Sequence, residues 1–170
     1  TSHGYDANGN MTVLNGPIYY DLYVQAGSNR IDMMGQRHYY GYDTRGNRNL
    51  HDYDGNSSAT YGYDAFNALR TYSRDNTITY AEPIGPAERS VTRLAGTWHY
   101  TTNALGQRVA KTGPGIGARY IYSGQNTLLA EAVNGVWTSY VWLGGGPVAL
   151  VRNGQLYYLH NDHLGRPHIA

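Results

Sequence analysis

The turn unit Tyr-Asp-x-x-Gly-Asn recurs along this chain and constrains its fold more than any other feature. It reads Tyr5-Asp6-Ala7-Asn8-Gly9-Asn10 and again Tyr42-Asp43-Thr44-Arg45-Gly46-Asn47-Arg48. A third copy, Tyr63-Asp64-Ala65-Phe66-Asn67-Ala68-Leu69-Arg70, has Asn67-Ala68 where the others carry Gly-Asn. A fourth, Tyr100-Thr101-Thr102-Asn103-Ala104-Leu105-Gly106-Gln107-Arg108, reads as the same unit with two extra residues. The tyrosine is expected to end a strand, and the Asp side chain to accept from backbone amides just downstream. The Gly or Asn takes the left-handed conformation that closes a loop of about three to five residues. The arginine then opens the return strand.

Tyr5, Tyr23, Tyr42, Tyr63, Tyr80, Tyr100, Tyr122, Tyr140 and Tyr158 give gaps of 18, 19, 21, 17, 20, 22, 18 and 18 residues. Between these anchors lie Asn15-Gly16, Asp54-Gly55, Asn134-Gly135 and Asn153-Gly154, the strongest short-range hairpin dipeptides. Each repeat is therefore expected to hold two strands and two turns. Three stretches interrupt the rhythm and are expected as loops: residues 56–59, residues 82–88 with two prolines that cannot donate in a central strand, and a mobile tip at residues 113–117. The same grammar runs on both sides of each. The expected fold is all-β, a curved ribbon of consecutive antiparallel β-hairpins spanning residues 1–170 as a single segment of about eight degenerate repeats of roughly 20 residues.

Composition agrees. The chain has 18 Tyr, 3 Trp and 22 Gly, the mixture that suits pleated surfaces and tight turns. Lys+Arg 13 against Asp+Glu 12 leaves no basic surplus for nucleic acid. Lys111 is the only lysine, which points to arginines wedged among tyrosines. Without cysteine there are neither disulfides nor thiolate zinc sites. No apolar run approaches the roughly 18 residues of a spanning helix. Thr1 is not an initiator methionine, so a processed product or an excised piece is expected.

Repeats of the form Tyr-Asp-x-x-Gly-Asn-Arg resemble the RHS (rearrangement hotspot) or YD repeats of bacterial polymorphic toxins, insecticidal toxin-complex shell proteins, wall-associated proteins and animal teneurins. The run Leu156-Tyr157-Tyr158-Leu159-His160-Asn161-Asp162-His163-Leu164-Gly165-Arg166-Pro167 looks like the entry to the RHS-associated core. The resemblance covers essentially the whole chain. It implies a hollow β-shell, secreted or at the cell surface, that encloses or presents a C-terminal effector. It also implies partners in further repeats of the parent chain or in other copies, joined at sheet edges. The later acidic-Pro-x-Gly motifs that resemble the family's self-cleavage site do not follow Pro167 here, so no Asp is expected to have a protease role. The unit from Tyr19 to Arg30 is degenerate, and Tyr72 to Trp98 fits loosely.

The candidate residues have bland and sharp readings. Tyr5, Asp6, Gly9, Asn10, Tyr42, Asp43, Gly46, Asn47, Arg48, Tyr63, Asp64, Asn67, Arg70, Tyr100, Gly106 and Arg108 read as the structural repeat motif. Arg48, Arg70 and Arg108 are expected to stack on tyrosines. His160, Asp162 and His163, followed by Gly165, could converge on zinc but read as a capped turn. No catalytic motif is present, and no cofactor or enzymatic activity is expected. The alternative function is a carbohydrate- or partner-binding surface, with Trp98, Trp137 and Trp142 as platforms and Trp137 and Trp142 on opposite faces.

Overall fold

The computed structural model describes residues 3–15, 19–53, 55, 57–84, 87–162 and 167–169, and every regular element among them is a strand. Contacts cluster into two compact units, one up to Thr97 and one from Trp98 onward. The first carries β1 (His3–Tyr5), β2 (Met11–Asn15), β3 (Tyr19–Val24), β4 (Ile31–Met34), β5 (His38–Tyr42), β6 (Arg48–Tyr53), β7 (Ser57–Tyr63), β8 (Leu69–Arg74), β9 (Ile78–Ile84) and β10 (Ala87–Arg93). Next come β11 (Gly96–Thr102), β12 (Arg108–Gly113), β13 (Ile116–Tyr122), β14 (Leu128–Val133), β15 (Val136–Leu143), β16 (Gly146–Arg152), β17 (Gln155–Tyr158), β18 (His160–Asn161) and β19 (Pro167–Ile169). Fifteen strands form one open antiparallel sheet in the linear order β1 to β8, then β11 to β17. The fold is all-β and built of consecutive hairpins.

Turn chemistry produces this order. Asn134-Gly135 and Asn153-Gly154 both have positive φ at each position (50° and 85°, 53° and 75°), the mirror-image turn whose twist matches its flanking strands. Gly35-Gln36 and Gly144-Gly145 close the same way, without the Asn-Gly signature. Gly55 has φ 66°, while Gly16 and Asp54 lie outside the described residues.

Some loop expectations are corrected. Residues 57–59 belong to β7, paired to β6 on one side and β8 on the other. Their small side chains fit a crowded position: Ser57 and Ala59 are buried, and Arg74 donates to Ser57 Oγ at 3.2 Å. Residues 82–84 and 87–88 pair in the β9–β10 hairpin, with Pro83 opposite Glu88. That hairpin stands apart from the fifteen-stranded sheet, where a missing proline donor breaks no central ladder. The expected mobile tip is a two-residue turn, Pro114-Gly115, since Gly113 pairs directly with Ile116.

Among the described residues eight hairpins carry a one-residue slip of register, two of them at Val141/Trp142 and His160/Asn161, and six share a place beside a capped or related turn. In these six the register slips by one at Gly4/Tyr5, Tyr23/Val24, Gly41/Tyr42, Gly62/Tyr63, Thr101/Thr102 and Ile121/Tyr122. This crowding explains the glycine of Y-G-Y-D. A Cβ on Gly41 would stand 3.0 Å from both Leu50 Cβ and Asn49 Oδ1, and one on Gly62 would collide with Thr71 Oγ1. At two slips with a larger first position the partner is small, Thr101 and Ile121 facing Ala110 and Ala130, whereas Tyr23 faces Met33.

Four tyrosine anchors are corrected: Tyr80 and Tyr140 stand inside β9 and β15, and the other two are displaced from the strand end by the slip. Val24, not Tyr23, and Thr102, not Tyr100, end their strands at the turn, paired with Ile31 and Arg108. The fourth copy therefore has no extra residues. Tyr100 sits two positions back, as Tyr40 and Tyr61 do before Tyr42 and Tyr63.

Burial is shallow. Among the described residues the buried apolar side chains are Leu22, Ala59, Trp98, Ala118, Ala132, Pro147 and Ala149. Single-layer strands recover ordering entropy chiefly through ladder bonds and cross-strand pairs. Gly113 lets Trp98 fold flat across its backbone, because any Cβ there would enter the indole.

Candidate functional site

The turn array is built from one hydrogen-bond pattern. Asp43 Oδ1 accepts from the amides of Arg45 and Asn47 at 3.0 and 2.8 Å, and Oδ2 accepts from Asn47 Nδ2 at 3.0 Å. Asp6 repeats this with Asn8 and Asn10. The backbone closes each loop through Gly9 N to Asp6 O and Gly46 N to Asp43 O. Gly9 and Gly46 take φ of 81° and 91°. Asp64 caps Phe66 and Ala68 in the same manner. Ala68 offers no side-chain amide, and Arg70 replaces it, its Nε and Nη2 meeting Asp64 Oδ2 at 2.8 and 2.7 Å. Asn103 and Ser123 fill the cap position in two further turns. Ser123 marks a copy that a Tyr-Asp search misses, though Tyr122 precedes it. The Asn10 side-chain amide holds the Asp6 carboxyl below its usual 3.8, the Asn47 side chain does so for Asp43, and the Ala68 amide does so for Asp64. These carboxylates are bound by their own turns and separated by repeats.

Consecutive turns are tied together. Asn47 Nδ2 donates to Asn67 Oδ1 at 2.9 Å, and Gln107 Nε2 donates to Asn126 Oδ1 at 2.9 Å. Asn67 and Asn126 occupy the positive-φ position (61° and 65°). Each accepts some backbone cost and supplies an acceptor that glycine lacks. Arg45 Nη1 reaches Asp64 O at 2.9 Å. Tyr42 and Tyr63 hydroxyls donate back to Ile31 O and Arg48 O, at 2.8 and 3.1 Å. Tyr42 and Tyr63 thus staple their turns to the preceding return strand.

One face of the first unit carries a ladder of rings and guanidiniums. Arg48 lies over Tyr40 and Tyr61, 5.7 and 4.9 Å from their centroids. Tyr61 packs on Tyr72, and Arg74 on Tyr72. In the second unit Arg108 lies 4.8 Å over Tyr100. Stacking holds for Arg48 and Arg108, while Arg70 is turned onto Asp64 because it sits one residue later, on the bulge. A feature the sequence did not single out joins this ladder: His38 Nδ1 and His51 Nε2 are 2.9 Å apart. The rings are stacked, with centroids 5.2 Å apart and planes 23° from parallel, and the tautomers of the neutral rings set which nitrogen donates. Burial lowers the pKa of both, and for His51 the nearby His38, Arg48 and Arg74 lower it further. Their separation of 13 residues offers no local signal, since only the β5–β6 register brings them together.

The remaining candidates disperse. His160 and Asp162 are exposed, and His163 and Gly165 lie outside the described residues. Among the described residues no three His, Cys, Asp or Glu gather as metal ligands. Trp98 is 9% exposed and is no platform. Trp137 and Trp142 are 48% and 37% exposed, with Trp142 Nε1 donating to Leu128 O at 2.9 Å. Burial, and then the 2.7 Å hydrogen bond to Glu131, push the Tyr140 hydroxyl up to about 12, so it stays protonated near neutrality. No protein-family model matches this chain, and no curated protein matches it significantly.

Proposed function

We propose that this chain is a wall segment of an RHS/YD-type repeat protein, part of a β-shell that encloses or presents an effector domain, with no catalytic role of its own. The observation that carries the reading is the turn-to-turn stapling: the Asp43 turn bonds the Asp64 turn through Asn47–Asn67 and Arg45–Asp64, and the Asn103 turn bonds the Ser123 turn through Gln107–Asn126. Such links rigidify a surface without building a pocket, and they let a sheet be extended by nearest-neighbour contacts. The edge strands β1 and β17 at the ends of the strand order are the natural joints to further repeats or other copies.

Light scattering across a concentration series tests this. A wall segment associates through its edges as concentration rises, and its intact mass stays constant on long incubation. A monodisperse monomer at high concentration, or self-cleavage of the chain, would overturn the reading.

A further inference from the structure

Four Asn-Gly pairs occur in the chain, and three of them, Asn8-Gly9, Asn134-Gly135 and Asn153-Gly154, lie wholly within the described residues. An asparagine before glycine is open to ring closure, because glycine has no Cβ to shield its nitrogen from the side-chain carbonyl carbon. All three asparagines are exposed, so exposure does not separate them. Hydrogen bonding does. Asn134 is clamped at both ends of its side chain, Nδ2 donating to Gly115 O at 3.2 Å and Oδ1 accepting from Gly117 N at 2.7 Å. In Asn8-Gly9 the attacking nitrogen is held instead, since Gly9 N donates to Asp6 O at 3.1 Å. The Asp6 carboxylate, bonded to the amides of Asn8 and Asn10, also opposes a second negative charge in that turn. Asn153-Gly154 repeats the positive-φ turn of Asn134-Gly135 without the clamp. Among the described residues neither the Asn153 side-chain amide nor the Gly154 N–H meets a hydrogen-bond partner. Asn153 also borders an open depression of about 380 Å³, which gives water access to its side chain.

We propose that Asn153-Gly154 is a self-modification site, which converts to aspartate and isoaspartate ahead of the other two pairs and thereby loosens the edge strand β17. The reaction needs only water. Hydroxide takes the Gly154 amide proton, and the nitrogen attacks Asn153 Cγ. The Cγ–Nδ2 bond breaks, and Nδ2 takes a proton from water and leaves as ammonia, which restores the hydroxide. Water then opens the cyclic imide at one of its two carbonyls. Opening at Cγ gives aspartate, and opening at the main-chain carbonyl gives isoaspartate, whose backbone runs through Cβ and Cγ. That lengthens a two-residue loop whose twist matched its strands. β17 ends the strand order of the sheet and pairs there with β16 alone, from Arg152↔Gln155 to Ala149↔Tyr158, so no second neighbour holds its register. A central hairpin such as β14–β15 has neighbours on both sides. The site stands independently of the wall role.

The test is peptide mapping by mass spectrometry of the 170-residue chain incubated in mildly alkaline buffer, with and without guanidinium chloride. Electron-transfer fragmentation separates isoaspartate from aspartate. In the folded chain Asn153 should convert about tenfold faster than Asn134, where two ordinary hydrogen bonds must first break, and about fivefold faster than Asn8, where one must. In denaturant the three rates should converge, because the restraints are gone. Asn153→Gln, whose longer side chain closes poorly onto the next nitrogen, should stay intact at that position and leave the rates at Asn8 and Asn134 unchanged. In the isoaspartate fraction, isolated by anion exchange, the β17 amides should exchange hydrogen faster than in the unmodified chain, and the β14 amides should not. Asn134 or Asn8 keeping pace with Asn153 in the folded chain would overturn the site. So would the same order of rates in denaturant, or an Asn153 that stays intact when folded while the denatured chain reacts. Equal protection of β17 in the two fractions would overturn its effect on the edge. Light scattering of freshly prepared chain reads the wall role separately.

Discussion

Gly113→Ala is the sharpest perturbation the fold offers. Gly113 has an ordinary φ, so alanine brings no backbone strain. An added Cβ would stand 2.6 Å from Trp98 Cγ and 2.9 Å from its Nε1, where carbon contacts prefer about 3.5–4.0 Å. The overlap is roughly 1 Å against a rigid ring, so the whole indole must shift. Overpacking of this kind costs about 1–3 kcal/mol, or a fall in Tm of about 2–12 °C for a chain this size. Gly124→Ala is the matched control, with nothing within 4 Å of its Cβ and no positive φ. It should be neutral or stabilise by up to about 1 kcal/mol. Urea denaturation of both variants, and of Gly113→Ala in a Trp98→Ala background, closes the cycle. Removing the indole should abolish the cost, a coupling of about 1–3 kcal/mol. An unchanged midpoint for Gly113→Ala, or the same loss without Trp98, would refute the packing of β11 on β12.

Tyr42→Phe removes the 2.8 Å hydroxyl bond to Ile31 O and should cost about 0.5–1.5 kcal/mol. Tyr5→Phe, at an exposed hydroxyl, should stay within about 0.5 kcal/mol in the same urea assay. The lowered pKa values of His38 and His51 mean the folded state favours the neutral rings. Their stabilisation is full above the unfolded value of 6.5 and is lost as pH falls through the folded values. Facing them are Tyr40, Arg48, Tyr53 and Arg74, with Asp52 the one opposing charge. The urea midpoint should therefore drop from about pH 7.5 to about pH 5, and less in His51→Gln; an equal drop in the variant would contradict the pair. The Asp43 carboxylate stabilises above 3.8 and loses that effect as pH falls through its lower folded value. Asp43→Asn, a substitution that Asn103 shows the turn accepts, should flatten the acid limb of a circular-dichroism titration. A limb as steep as wild type would count against the cap.

What the sequence disclosed was local. Asp caps, positive-φ Gly and Asn, and Asn-Gly dipeptides act within five residues, so hairpins and their order were legible before any coordinates. Bulges were not, because a one-residue slip leaves the turn motif intact while moving the strand end from Tyr23 to Val24 and from Tyr100 to Thr102. Residues 57–59 look like a loop by polarity, yet small polar side chains are what a strand buried beneath Arg74 requires. The His38–His51 contact and the Asn134 side-chain bonds to Gly115 and Gly117 depend on which strands pair, which no short window encodes. The exposure of Trp137 and the burial of Trp98 follow likewise from which residue, Ala132 or Gly113, lies opposite.

The central claim is that one capped turn, repeated, builds the wall. Hydrogen exchange by NMR reads it directly at the cap-bonded amides of Asn10, Asn47, Ala68, Gln107 and Thr127. All five should be protected to a similar degree, well beyond the exposed loop amide of Ala65. Exchange at the unprotected rate in these five, or protection in only one of them, would contradict a shared building unit.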